Sequence, residues 1–176
     1  MYAKDTLFGN TKPNRISWLL WCIAPFIGTS ASLAAGVTWA ALPVFISGFG
    51  PLLVLIASFA NKNAYWKLEK FDYLCGLFSL LALVLWVITK NPSVAIIFAI
   101  VADALASIPT VLKGRKHPET ESGSAYIGGL INALSAFTVI SVWTFPEYAF
   151  PAYLVAVNII LMLPLFWKKN SQNIKN

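Results

Sequence analysis

The sequence predicts an all-α polytopic membrane protein of about six transmembrane helices, and three observations carry that expectation. The chain of 176 residues is 58% hydrophobic and 11% charged, with a mean hydropathy of +0.70, whereas a soluble domain carries roughly 25% charged residues. A water-facing surface cannot be assembled from so few charges. Apolar runs close to the ~20 residues of a bilayer crossing recur along the chain. The cations cluster in the short segments between those runs. The formal net charge of +6 therefore reads as the positive-inside bias of a membrane protein. It does not read as a nucleic-acid surface, since no soluble basic face remains to carry one.

Taken in order, residues 1–13 are short, polar and basic. Asn14 is placed to cap a helix over 16–35, which Gly36 ends. A second span covers 38–60 and contains Pro43, Gly48, Gly50 and Pro51, tolerated where neighbouring helices satisfy the freed backbone groups. After the polar loop 61–70 comes a third span, 71–89, and a tight turn at Lys90-Asn91. The fourth span, 92–112, opens on Pro92, whose missing N–H costs nothing in a first turn. The basic loop 113–121 leads to a fifth span, 122–143; 144–147 turn the chain, and a sixth span covers 148–166 before a polar, basic tail.

Orientation follows from Lys and Arg. Lys4, Lys12 and Arg15, then Lys62, Lys67 and Lys70, then Lys113, Arg115 and Lys116, then Lys168, Lys169 and Lys175 fall on one side of a six-span chain. Only Lys90 falls on the other. Both termini are thus expected in the cytoplasm, with the chain in the cell (inner or plasma) membrane and the turns at Gly36, Lys90 and Glu147 facing out. Trp18, Trp21, Trp39, Trp86, Trp143 and Trp167 fall near expected span ends, where indoles anchor at headgroup level. Cys22 and Cys75 lie within expected spans, outside any C-x-x-C motif, and read as buried apolar thiols. The first apolar run is long enough to span, so no cleavable signal peptide is expected.

The chain also matches itself. At an offset of 105, Leu7, Gly9, Pro13 and Ser17 lie over Leu112, Gly114, Pro118 and Ser122, and at 108 Pro43 lies over Pro151. The unit reads as basic loop, helix, short outer turn, helix. In the second copy (92–166) a full helix precedes the loop; in the first (1–60) only Met1-Tyr2-Ala3 precedes Lys4, so the repeat predicts a helix that is missing there. The span 71–89 belongs to neither copy and acts as a linker. With one linker helix, two three-helix units lie parallel, related by an axis along the membrane normal.

Three helices, a linker and three helices resemble the SWEET and PQ-loop transporter superfamily, with the first helix missing. The resemblance rests on Ser107-Ile-Pro-Thr-Val-Leu-Lys-Gly-Arg-Lys-His-Pro-Glu-Thr-Glu-Ser122, a helix-end proline followed by a basic loop and a new helix. Pro109-Thr110 stands where that family has proline and glutamine. The resemblance implies solute transport, with Asn158 at the position of a mid-membrane asparagine lining the solute site. The matching position in the first copy falls near Gly50, so the paired asparagine of sugar-carrying members is absent. The segment Thr11–Trp21 also resembles uncharacterised bacterial membrane proteins, and the three-one-three plan is shared with nicotinamide riboside transporters.

Asp103 is the acid well inside a span. A charge at that depth costs ~2.5–3.5 kcal/mol on insertion scales, so such residues face a cavity or a partner. Asp103 is either a proton-coupling site or a neutral acid bonding a neighbouring helix. Asn132 and Asn158 are candidates for solute contact or for interhelical bonding. Trp143 could cover the solute site from the outer side or anchor at the interface. Pro109, Pro43 and Pro151 are candidate hinges or static kinks. His117 reads as a solvated loop residue, and Glu119 and Glu121 as negative charge suited to the start of the fifth span. No catalytic set, metal-ligand spacing or phosphate-binding glycine loop is present, so neither an enzyme nor a cofactor is expected. The expected function is transport of a small solute of unknown identity, proton-coupled through Asp103, with the lipid bilayer as the other partner. The alternatives are a non-transporting interaction or assembly partner, a truncated gene product, and a homo-oligomer that completes the missing helix in trans.

Overall fold

The computed structural model describes residues 1–34, 42–89, 92–140 and 143–173. Among them there is no strand. The α-helices are α1 (Tyr2–Leu7), α2 (Arg15–Ala34), α3 (Leu42–Ala60), α4 (Lys70–Ile88), α5 (Pro92–Lys116), α6 (Gly123–Ala136) and α7 (Phe145–Asn173). The all-helical class therefore holds. Among the described residues two stretches, Ile96–Lys116 and Tyr148–Leu165, are long and apolar enough to cross a membrane, and Arg15–Phe26 in α2 and Val44–Ala60 in α3 are shorter apolar stretches. Six such stretches were expected. Part of the difference is local: α6 ends at Ala136 and tightens into a 3-10 turn over Phe137–Val139, short of the expected end at Trp143. The turns placed at Gly36 and Lys90, and Trp39, lie outside the described residues, as do the side chains of Trp86 and Trp167 and the tail cations.

The remaining differences are at element ends. Residues 2–7, for which no helix was expected, form α1, which closes through Gly9 at φ +78. Gly9 N–H donates to Thr6 O (3.0 Å) and Asn10 N–H to Asp5 O (2.8 Å). That pair of bonds needs a left-handed residue, which glycine adopts without steric cost. Helix α5 runs past the expected Leu112 to Lys116 and takes the three basic residues Lys113, Arg115 and Lys116 into its last turn, where cations suit the helix dipole. Pro109 and Pro151 lie inside α5 and α7. Pro43 is the second residue of α3 as its bounds stand.

Helix α2 packs on α3, α4 on α5, and α6 on α7; α5 also packs on α7 and α2, and α1 sits against α3 and α6. The interior sets polar side chains beside two apolar clusters. Asn14, Thr6, Thr11, Thr110, Ser17, Ser58 and Ser79 are fully buried, while α4 leaves Leu74, Leu77, Phe78, Leu81, Val84 and Ile88 exposed. An exposed apolar face of this kind is a surface for a membrane or a partner to cover. Close contact is used at Gly76, where an added Cβ would lie 2.7 Å from Ile16 Cγ2.

Candidate functional site

Two places gather chemistry. The first is Asp103 on α5, partly buried. Tyr153 on α7 donates its hydroxyl to Asp103 Oδ2 at 2.7 Å. Ser107, one turn along α5, donates to the Asp103 carbonyl at 2.8 Å and lies 3.5 Å from Oδ2. Asp103 thus joins α5 to α7. Its bonds go to Tyr153 and Ser107, not to either candidate asparagine. Asn158 donates to Leu154 O in its own helix (2.8 Å) and packs its amide against Gly129 of α6. Asn132 is partly buried on α6, and its carbonyl accepts the Ser135 hydroxyl at 2.8 Å. Trp143 is 67% exposed, stacks on Phe137 with ring centroids 6.0 Å apart, and lies 6.4 Å from the Tyr148 ring of α7.

The second place is where the basic segments meet. Asn61 donates to Leu7 O (2.7 Å), Lys12 N–H to Thr120 O (2.8 Å), and the Trp66 and His117 rings lie 5.4 Å apart. The segments around 1–15, 61–70 and 113–121 therefore occupy one end of the bundle, which we call the basic end. Asn14 organises its floor. Its Oδ1 accepts Ile16 and Ser17 N–H (3.1 and 3.3 Å), capping α2, and its Nδ2 donates to Asp72 Oδ1 at 3.1 Å. Asp72 Oδ2 in turn accepts Glu69 N–H at 2.7 Å, closing the start of α4. Arg15 spans out to Ser58 and lies over the Phe59 and Tyr65 rings at 4.2 and 5.0 Å.

At the centre of this end is an ion pair, Lys113–Glu121, whose two side chains are each 1% exposed. Tyr2 donates to Glu121 Oε2 at 2.7 Å and Tyr126 donates to the same oxygen at 2.5 Å. The Lys113 ammonium also donates to the Lys12 carbonyl and lies 5.1 Å from the Trp66 ring centre. Beside this network, Ser122 donates to Asp5 Oδ2 at 2.7 Å. Burial first, and the Glu121 carboxylate second, hold the Tyr2 phenol well above its ordinary value of 10.0. Tyr2 also packs on Trp18 (ring centroids 4.7 Å apart), and Trp18 is a 3% exposed core residue, not an interfacial anchor. Ser17 Oγ, Trp18 Nε1 and Thr110 Oγ1 are buried and find no hydrogen-bond partner among the described residues.

None of Tyr2, Lys113, Glu121 and Tyr126 stood out in the sequence as a group. Lys113 shares its local pattern with Arg115 and Lys116, which are exposed. The signal that separates them is helical: Ala102, Ala106, Thr110 and Lys113 form the buried stripe of α5, but only if the helix continues past Leu112. His117 is half-exposed and 3.3 Å from Glu119, in keeping with a solvated residue. Among the described residues no group of His, Cys, Asp and Glu is disposed to hold a metal ion. No protein-family model matches the chain, and no curated protein or solved structure matches it.

Proposed function

We propose that the protein is a multi-pass membrane transporter of a small solute, with both termini cytoplasmic and Asp103 coupling proton movement to the solute. The observation that carries this reading is an ionisable acid within an apolar helix, set against a tyrosine of the neighbouring candidate span. Intramembrane acids held this way mark proton or solute pathways. The meeting of three basic segments at one end supports the expected orientation, that end being cytoplasmic. The internal repeat is supported by packing: α1 stands to α3 as α5 stands to α7, and the loop after each passes through Pro13 or Pro118 into α2 or α6. A PQ-loop-like plan accounts for both.

One observation favours a rival, a non-transporting membrane protein. Asp103 already has Tyr153 and Ser107 as partners, so it serves equally as interhelical glue. The deciding experiment uses the purified chain in vesicles loaded with a pH-sensitive dye and a panel of sugars, amino acids, organic acids and nucleosides. The transporter reading expects one panel class to move protons with it, and Asp103→Asn to abolish the proton flux. If the unmodified chain moves no panel class under either gradient, the rival stands. If Asp103→Asn leaves gradient-driven uptake unchanged, the coupling role is wrong.

A further inference from the structure

We propose that Tyr2, Lys113, Glu121 and Tyr126 form a gate at the basic end, with α1 as its movable part. It holds the two halves of the bundle shut and must release for a solute to leave on that side. This rests on the transport reading and adds to it the place where passage is controlled.

The argument begins with which parts of the chain the contacts join. Tyr2–Glu121, Lys113–Lys12, Lys12–Thr120 and Asp5–Ser122 all run from the first seventeen residues to the second half of the chain. These polar contacts can exchange for water on opening, and the Tyr2 and Tyr126 rings, packed in one apolar cluster with Trp18, Val54, Val157 and Leu161, part with them. The ion pair itself is an unlikely device for stability. Taking both charges from water offsets most of their attraction, and an apolar pair of similar volume commonly does as well. Its partners are arranged to satisfy the closed state: Glu121 takes two phenol hydroxyls and the ammonium, and Lys113 takes a carboxylate and a carbonyl.

The groups next to the latch are not satisfied in the same way. Among the described residues Ser17 Oγ, Trp18 Nε1 and Thr110 Oγ1 are buried without hydrogen-bond partners, and Glu121 Oε1 meets the Lys113 ammonium alone. Trp18 packs on the Tyr2 ring, and Thr110 precedes Lys113 by one turn of α5. Each carries an uncompensated desolvation cost in the closed form. Water or a polar solute admitted by opening would satisfy them, so the closed state is poised and not over-stabilised. Helix α1 has the build of a lever. It is six residues long, ends at Gly9 in the left-handed region, and is pinned to the start of the 61–70 loop by the Asn61–Leu7 bond.

The test needs no solute. Cys22 is buried one turn along α2 from Trp18, with its thiol donating to the Trp18 carbonyl at 3.0 Å. Cys75 is buried on α4. With Cys75→Ser, Cys22 is the single thiol; with Cys22→Ser, Cys75 is. Each chain, in lipid nanodiscs, is exposed to a small membrane-impermeant methanethiosulfonate and labelling is followed by mass. Tyr2→Phe, which removes one charge-assisted bond, should speed Cys22 labelling by about tenfold, and Glu121→Gln, which also leaves the buried Lys113 ammonium unpaired, should speed it more; both should leave Cys75 unchanged. Unchanged Cys22 labelling in both variants overturns the gate. Equal acceleration of both thiols also overturns it, because that is general loosening. Tyr2→Phe removes one hydroxyl only, so it decides the matter if Glu121→Gln fails to fold. A chain that labels as expected but moves no panel solute fails the transport reading alone; one that moves solute with latch-independent labelling fails the gate alone.

Discussion

At the scale of single residues, burial decides what a charge does. Lys113 and Glu121 lie in a stretch that reads as a basic loop, yet each is 1% exposed and answers the other. Glu121→Ala strands a buried ammonium and should cost about 3–5 kcal/mol, whereas Lys113→Met with Glu121→Leu should cost far less or nothing; chemical denaturation of the three chains in detergent measures the contrast. Tyr2 adds a pH dependence with a definite sign. Its folded-state phenol holds its proton above 10.0, where the unfolded phenol loses it. The folded state then binds more protons, so stability should fall as pH rises past that value, and Tyr2→Phe should flatten the fall. Two adjacent glycines of α6 give a further contrast. A Cβ at Gly129 would meet Asn158 Cγ at 3.0 Å and Nδ2 at 3.1 Å, while one at Gly128 meets nothing within 4 Å. Gly129→Ala should destabilise by about 1–3 kcal/mol, and Gly128→Ala should stabilise by about 0.5–1 kcal/mol, read from the same unfolding curves.

Elements were legible where their signals are local. Asn14 as a cap needs only the residues after it, and Ile16 and Ser17 N–H do bond to it. Its second bond, to Asp72, is not local and could not be read from the pattern. Asn14→Ala should therefore cost more than the ~1 kcal/mol typical of a lost cap, and adding Asp72→Asn, which removes the charge left without its Asn14 donor and keeps one acceptor oxygen for Glu69 N–H, should recover part of the difference in thermal unfolding. The start of α5 at Pro92 was readable; its end was not, because no glycine or proline stops it at Leu112, and burial of Lys113 carries it on to Lys116. Helix α1 was missed because six residues are too few for a hydrophobic period. It forms because Tyr2 and Thr6, on one face, are buried against the rest of the chain.

At the scale of the whole molecule, the topology reading makes its own prediction. Fluorescent-protein fusions at either terminus should fold and fluoresce in the cytoplasm, and a periplasmic reporter inserted at Asn91 should be active; the reverse pattern would invert the orientation. The sequence by itself determined that the chain is all-helical, with apolar helix bodies and cations gathered in a few short segments between them, since these depend on composition and on intervals of a few residues. It also singled out Asp103 as the acid within a span. What that acid touches, and that Tyr2 at the start of the chain closes over Glu121 at a separation of 119 residues, only the tertiary structure decided. Such contacts depend on which helix faces meet, and apolar helices of similar composition carry no local signal for that choice.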